Sequence, residues 1–114
     1  MPMLMSDLEL LPADLAEKSI SDREIVLPMK EALEAIDILE AKGIQILAWE
    51  GWIKTKDGCV GHGSAPQGTV SLEDLSVHEA AVLCRITIPE DAAHWQRENP
   101  ETTDALHFCI TVRA

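Results

Sequence analysis

Two of the three tryptophans in this chain, Trp49 and Trp52, lie three positions apart, with Glu50 and Gly51 between them. An indole offers a large apolar area and one N–H donor, and a neighbouring carboxylate can accept that hydrogen bond. The chain has no tyrosine and only one phenylalanine. This concentration of indole groups therefore predicts either a recognition surface or the centre of a small core.

Gly51 affects where the two indoles point. In a regular strand Trp49 and Trp52 lie on opposite faces, because successive side chains alternate. A β-bulge at Gly51 would insert one residue and bring both indoles to one face, with Glu50 beside them. We take the bulge as the working hypothesis, and it predicts a surface or a pocket.

Four residues have side chains that suit a zinc ion. Cys59 and His62 have Cys-x-x-His spacing, and His107 and Cys109 alternate onto one face of a predicted strand. The two pairs are far apart in the sequence, and neither matches a known zinc knuckle. Cys84 and Cys109 are better explained as small buried apolar groups. We therefore expect no metal and no other cofactor.

Nucleophilic catalysis has one local candidate, Cys59 with His62 and Asp57. Residues so close together on a hairpin rarely converge into a triad, and an acidic chain is a poor setting for a nucleophilic thiol. We expect no catalytic residues.

The glycine-rich segment with Gly61, Gly63 and Gly68 could suggest a phosphate-binding loop. Its spacing matches neither the dinucleotide fingerprint nor the P-loop. We interpret it as a flexible connection with room for backbone contacts.

The composition excludes several classes of partner. The net charge of −11 repels nucleic acids and anionic membranes, and it attracts cationic partners. No apolar run is long enough to span a membrane, and no secretory signal is expected at the start of the chain. Three cysteines are an odd number, which favours a reducing, cytoplasmic setting.

The elements that would position these residues can be predicted from hydrophobic periodicity. Residues 1–27 are predicted to form an N-terminal arm with a short helix at 12–18, and residues 28–114 a single α+β domain. Apolar residues three or four apart predict a helix from Pro28 to just before Gly43. Residues 44–54 predict a central strand, and Asp57 and Gly58 predict a tight hairpin turn into a second strand near Cys59.

The second half of the chain contains two capping-box spacings, Ser76 to Glu79 and Thr87 to Glu90. They favour two consecutive helices, although the alternation of apolar residues over positions 82–88 also fits a strand. Trp95 has helical spacing and is predicted to lie in the core. Strands are also predicted at residues 69–72 and 106–112. The fold class is thus α+β, with a small, mainly antiparallel sheet covered by two or three helices.

A family resemblance extends over about residues 28 to 98. It is carried by Ile46-Leu47-Ala48-Trp49-Glu50-Gly51-Trp52-Ile53-Lys54, Asp57-Gly58, Val60-Gly61-His62 and Gln67-Gly68-Thr69-Val70. This pattern resembles a small bacterial immunity-protein family of polymorphic toxin systems. The resemblance implies a compact α+β domain that binds and blocks a cognate toxin.

We therefore expect a non-catalytic cytoplasmic protein that neutralises a toxin, with a basic toxin such as a nuclease as its partner. The expected partner-binding residues are Trp49, Glu50, Trp52, Lys54, His62 and Gln67. One alternative is a regulatory domain that binds a small molecule or a metal between the hairpin and the glycine-rich loop. Another is a small enzyme that uses His62 and Glu50 as acid and base.

Overall fold

The computed structural model describes residues 7–69 and 71–113. One antiparallel sheet contains four strands, in the spatial order β1-β4-β2-β3: β1 (Ile25–Leu27), β2 (Gln45–Lys54), β3 (Val60–Gly61) and β4 (Ala105–Arg113). Its helices are α1 (Ala13–Ala16), α2 (Met29–Ala41) and α3 (Val77–Glu98), with short 3-10 turns at Asp7–Leu10 and Leu72–Asp74. The predicted α+β class, a small antiparallel sheet covered by helices, is confirmed.

Helix α2 begins and ends where the sequence predicts. Pro28 precedes its first residue, and Gly43 follows its end with φ +72°. There Gly43 N–H donates to Glu40 O and Ile44 N–H donates to Leu39 O, which satisfies carbonyls of the last turn. The buried residues recur at helical spacing and form one stripe against the sheet: Ala32, Ala35, Ile36 and Leu39.

Helix α3 begins with a true capping box. The Ser76 hydroxyl accepts the Glu79 N–H, and the Glu79 carboxylate accepts the Ser76 N–H. The helix then continues without interruption to Glu98, so the prediction of two helices is wrong. At the second capping-box spacing the Thr87 hydroxyl donates to Leu83 O, one turn back inside the helix, and caps nothing.

The continuity of α3 through Pro89 has a tertiary cause. A proline inside a helix removes one backbone hydrogen bond and crowds the preceding turn. Ile88 and Trp95, on either side of this point in the sequence, are both buried, and we attribute the continuity to that packing. Packing therefore overrides the local signal to stop. The prediction that Trp95 lies in the core is confirmed, since the residue is 5% exposed.

The register between β2 and β4 corrects the predicted bulge. Ile46 pairs with Val112 and Ala48 pairs with Thr111, so Leu47 is the extra residue. From Ala48 to Lys54 the two strands pair without a further shift. The bulge predicted at Gly51 is therefore wrong.

The connection from β2 to β3 confirms the predicted hairpin turn, but the turn is longer than a two-residue primed turn. Gly58 has φ +93°, and its N–H donates to Thr55 O. Thr55 N–H in turn donates to Cys59 O, so residues 55–59 form the loop, and β3 begins at Val60. Asp57 is not at positive φ, unlike the first central residue of a two-residue primed turn.

The core lies between the sheet and the pair α2 and α3. Trp49 is fully buried there, and its ring meets Phe108 edge to face, with centroids 5.4 Å apart. The chain before β1 contributes Leu11 and Leu15 to the same cluster. Thr69 forms a bridge with Trp49, whereas Val70, in the strand predicted at residues 69–72, lies outside the described residues. None of the helices within the described ranges combines the length and apolar character that a membrane span needs.

Candidate functional site

One face of the sheet is turned away from α2 and α3, and we call it the far face. Because side chains alternate along the paired strands, it carries Glu50, Trp52 and Lys54 of β2. The same register places His107 opposite Trp52 and Cys109 opposite Glu50. Helices α2 and α3 cover the opposite face of the sheet. The predicted site residues of β2 therefore reach the surface on the far face.

Trp52 is the centre of a small polar and aromatic group on the far face. Its indole Nε1–H donates to Glu50 Oε1 at 3.2 Å. The His62 ring contacts it edge to face, with centroids 5.7 Å apart and an interplanar angle of 72°. Trp52 is half-buried, and Glu50 and His62 are exposed. We call Glu50, Trp52 and His62 the Trp52 patch.

The chain after β3 returns along β2 and fixes the position of His62. Gly51 N–H donates to Pro66 O at 2.9 Å, and His62 Nδ1 lies 3.3 Å from Gly51 O. A Cβ atom at Gly51 would lie 2.7 Å from Pro66 O, closer than real Cβ contacts allow. The glycine between the two tryptophans therefore lets the loop approach the strand and hold His62 beside Trp52.

His107 contributes an uncharged ring beneath this surface. It is 6% exposed, and burial, aided by the positive charge of Lys54, lowers the pKa of its imidazole. A hydrogen bond with Ala105 O opposes that shift and leaves the net direction downward. His107 is therefore neutral near pH 7.

Cys109 carries a buried, protonated thiol. Its Sγ lies 3.7 Å from Glu24 Oε2. Burial, together with the negative charges of Glu24 and Glu50, raises the pKa of the thiol to about 12. The thiolate needed for nucleophilic attack or zinc binding is thus disfavoured.

The four residues considered for zinc do not form a ligand set. Cys59 is exposed on the hairpin loop, whereas His107 and Cys109 are buried in β4. Within residues 7–69 and 71–113, no three His, Cys, Asp or Glu side chains are placed to hold a metal ion.

The six predicted partner-binding residues separate into three sets. Trp52 contacts both Glu50 and His62, and Lys54 is exposed two residues further along the same face. Gln67 is exposed on the loop, and no hydrogen bond or ring contact between described residues links it to Trp52.

Trp49 forms the third set alone. It is 0% exposed on the opposite face, where its Nε1–H donates to Thr87 Oγ1 at 2.9 Å. It therefore cannot contact a partner in the folded protein.

A cleft that the sequence did not reveal lies between the loop and the C-terminal half of α3. Its volume is about 410 Å³, and its lining includes Ser64, Asp91, His94, Trp95, Glu98 and Asn99. Trp95 Nε1–H donates to Ser64 Oγ at 2.9 Å and joins the two walls. The spacing of Asp91, Trp95 and Glu98 does indicate one shared helical face, but the opposing loop could not be placed from sequence.

A polar cluster between α2 and α3 was also missed. Arg85 Nε–H donates to Asp37 Oδ1 at 2.8 Å, and the same guanidinium contacts Glu40, which also pairs with His78. The hydrogen bond from Arg85, followed by that from His78, lowers the pKa of the Glu40 carboxyl. The sequence signal that could have indicated this cluster is the acidic pair Asp37 and Glu40, three residues apart on one face of α2. The cluster links the two helices and is separate from the Trp52 patch.

Comparisons with protein-family models, with curated proteins and with solved structures find no match to this chain.

Proposed function

We propose that this protein is an immunity-type binding protein that neutralises a cognate bacterial toxin by direct association. The observation that carries the proposal is the Trp52 patch: a half-buried indole held by Glu50 and His62 on the sheet face that is turned away from α2 and α3. Tryptophan is among the residues most enriched at the energetic centres of protein interfaces. The resemblance of the Trp-Glu-Gly-Trp segment to immunity proteins supports the same role.

The Trp52 patch is ordered before any partner arrives. The hydrogen bond to Glu50 and the ring contact with His62 restrict the Trp52 side chain. The loop that carries His62 is itself bound to β2 through Gly51 and Pro66. A pre-ordered anchor loses less side-chain entropy on binding, which raises affinity.

The charge of the protein supports a basic toxin. A net charge of −11 attracts a cationic partner over long range and speeds the encounter. An acidic protein seated over the catalytic cleft of a basic enzyme such as a nuclease would exclude its anionic substrate. Association would take place in the cytoplasm, before the toxin reaches its target.

The proposal is tested with the protein encoded immediately upstream of this gene. That protein is expressed in a bacterial host with and without this chain, and growth and co-purification are measured. Growth should stop when the upstream protein is expressed alone and should resume when this chain is co-expressed. The two proteins should then co-purify as a stable complex. An upstream protein whose toxicity is unchanged at equal expression, with no complex recovered, would contradict the proposal.

A further inference from the structure

We propose that the outer side of α3, which points away from the sheet, binds a cationic amphipathic helix of a partner protein. This side of the helix carries an apolar groove with a volume of about 470 Å³, which we call the α3 groove. The residues that line it are Leu75, His78, Glu79, Val82, Leu83 and Ile86.

Helix α3 has apolar residues on two opposite sides. The side that faces the core is formed by Ala80, Ala81, Cys84 and Ile88. At 3.6 residues per turn, Val82 and Ile86 lie about half a turn around the helix from that buried side. Apolar residues all round a helix are typical of one that is covered on every side. The outer side of α3 therefore has the composition of a second interface.

Exposure of large apolar side chains is concentrated in the α3 groove. Within residues 7–69 and 71–113, four large apolar side chains are exposed, and two of them are Val82 at 37% and Ile86 at 52%. The other two, Met29 and Val60, lie singly on α2 and β3. Single exposed apolar residues are normal on a protein surface, whereas neighbouring ones that line a groove indicate an interaction site.

The length of the groove suits a helix as its occupant. Val82 and Ile86 lie one turn apart, and Leu83 borders them. The helix from Val77 to Ile86 rises about 14 Å, at about 1.5 Å per residue. An amphipathic partner helix presents its apolar anchors at i, i+4 and i+7, which span about 10 Å. The α3 groove therefore accommodates one such set of anchors.

Carboxylates surround the α3 groove. Glu79 lines it, and Glu73 and Asp74 precede its N-terminal end. Glu90 lies one turn beyond Ile86 on the same helix. All four carboxylates are exposed, and none takes part in an ion pair between residues that the structure describes. The rim of the groove is therefore negative.

The basic side chains of this part of α3 do not offset that charge. Between Val77 and Ile86 they are His78 and Arg85. Arg85 contacts both Asp37 and Glu40 of α2, and His78 contacts Glu40. Their charge is thus directed to α2. A helix with lysine or arginine beside its apolar stripe complements the four carboxylates that remain.

Charge separates the alternative occupants. A second copy of this chain would bring the same carboxylates against those of the first, because a two-fold interface pairs identical surfaces, and each copy has a net charge of −11. An anionic membrane is repelled for the same reason. A cationic amphipathic helix matches both the apolar groove and its acidic rim.

The α3 groove is separate from the Trp52 patch. Helix α3 packs on the sheet face that carries Trp49, whose Nε1–H donates to Thr87 Oγ1. Trp52 lies on the far face. A partner seated on the Trp52 patch therefore leaves the α3 groove open, and occupation of the groove does not depend on toxin neutralisation.

The test uses the whole protein and synthetic peptides of about fifteen residues, long enough to form a helix. The probe is a fluorescently labelled peptide with leucines at helical spacing and lysines elsewhere. One control peptide replaces every lysine with glutamate, and a second has the composition of the probe in strict alternation. The probe should bind saturably and shift the backbone amide NMR signals of Val82 and Ile86, while those of Trp52 stay in place. Both control peptides should bind much more weakly.

Ile86→Asn and Val82→Asn test the groove itself. Both side chains are exposed, so these changes remove apolar anchors without opening a core cavity. Each should weaken binding of the probe about five- to ten-fold, as expected for an anchor of an interface. Met29→Asn is the matched control, because Met29 is 40% exposed on α2 and lies outside the groove. It should leave the affinity unchanged.

Several results would overturn the proposal. They are no saturable binding of the lysine probe, equal binding of either control peptide, and an equal loss of affinity in Met29→Asn. Sedimentation velocity and vesicle binding examine the other occupants. A dimer that Ile86→Asn dissociates would assign the groove to a second copy of the chain. Binding to phosphatidylcholine vesicles that Ile86→Asn abolishes would assign it to a membrane, and either result would contradict a helical protein partner.

Discussion

At the scale of single residues, the two tryptophans of one short segment have opposite roles. Trp49 fills the core against Phe108 and donates to Thr87, whereas Trp52 lies half-buried on the far face beside Glu50. Their separation of three positions in a regular strand is sufficient to cause this division. Because of this spacing, Trp49 is a core residue and Trp52 is a candidate anchor for binding.

The close approach of the loop to Gly51 predicts a stability effect. In Gly51→Ala, the new Cβ would lie 2.7 Å from Pro66 O, so the loop must move away from β2. We expect a loss of about 1–3 kcal/mol in the free energy of unfolding, typical of overpacking. Urea unfolding measures it, with Gly61→Ala as the control, because a Cβ at Gly61 meets nothing within 4 Å. Equal stability of the two variants would show that the loop does not hold this position.

The residues of the site were predictable only in part. The indole, carboxylate and imidazole of the Trp52 patch could be selected because their types suit recognition. The face that each residue occupies could not, because it depends on the pairing of β2 with β4, more than fifty residues later in the chain. The extra residue in that pairing is Leu47, which has no local sequence signal for a bulge.

At the scale of elements, the helix ends show which signals are reliable. Gly43 and the Ser76–Glu79 box act locally, through hydrogen bonds made within one turn, and the structure confirms both. The Thr87–Glu90 spacing has the same residue types but lies inside a helix that has already begun. Packing around Ile88 and Trp95 keeps this helix continuous. The same spacing would predict a helix start only where such packing is absent.

The link between α2 and α3 predicts a dependence of stability on pH. The hydrogen bond from Arg85 holds the folded-state pKa of Glu40 below its ordinary value of 4.5. The ionised carboxylate thus stabilises the folded state fully above 4.5, and this stabilisation is lost as the pH falls through the lower folded-state pKa. Glu40→Gln should lower the urea midpoint at pH 7, and its difference from the wild type should shrink as the pH falls below 4.5.

Glu34→Gln is the control for this experiment, since Glu34 is exposed on the same helix and takes part in no ion pair between described residues. Asp57 and Glu79 also have lowered pKa values, so the difference between variant and wild type is the informative quantity. A difference that stays constant with pH would show that the charge of Glu40 does not matter to the fold.

At the scale of the whole molecule, the fold class followed from sequence but the cleft did not. Periodicity and turn residues predict a helix, a hairpin, further helical structure and a terminal strand, and few arrangements of these bury their apolar faces. The cleft needs the loop at Ser64 to meet α3 at Trp95, a contact between distant segments. Local patterns carry no information about such a contact.

The overall charge predicts how salt affects binding to the toxin. Attraction between a protein of net charge −11 and a basic partner acts mainly before contact, and dissolved ions screen it. Raising the ionic strength from about 0.01 M to 0.15 M shortens the screening length from roughly 30 Å to 8 Å. We expect the association rate to fall at least about ten-fold, with a much smaller change in the dissociation rate. Surface plasmon resonance separates the two rates, and an association rate independent of salt would exclude electrostatic steering.

The central claim is that the Trp52 patch anchors a toxin, and the dissociation rate of the complex tests it most directly. Wild type, Trp52→Ala and the control Gln96→Ala, an exposed position on α3, are compared against the upstream-encoded protein at one salt concentration. Trp52→Ala should cost roughly 2–4 kcal/mol of binding, seen almost entirely as faster dissociation, while Gln96→Ala stays within about 0.5 kcal/mol of wild type. A folded Trp52→Ala variant that dissociates as slowly as wild type would place the interface elsewhere on the protein.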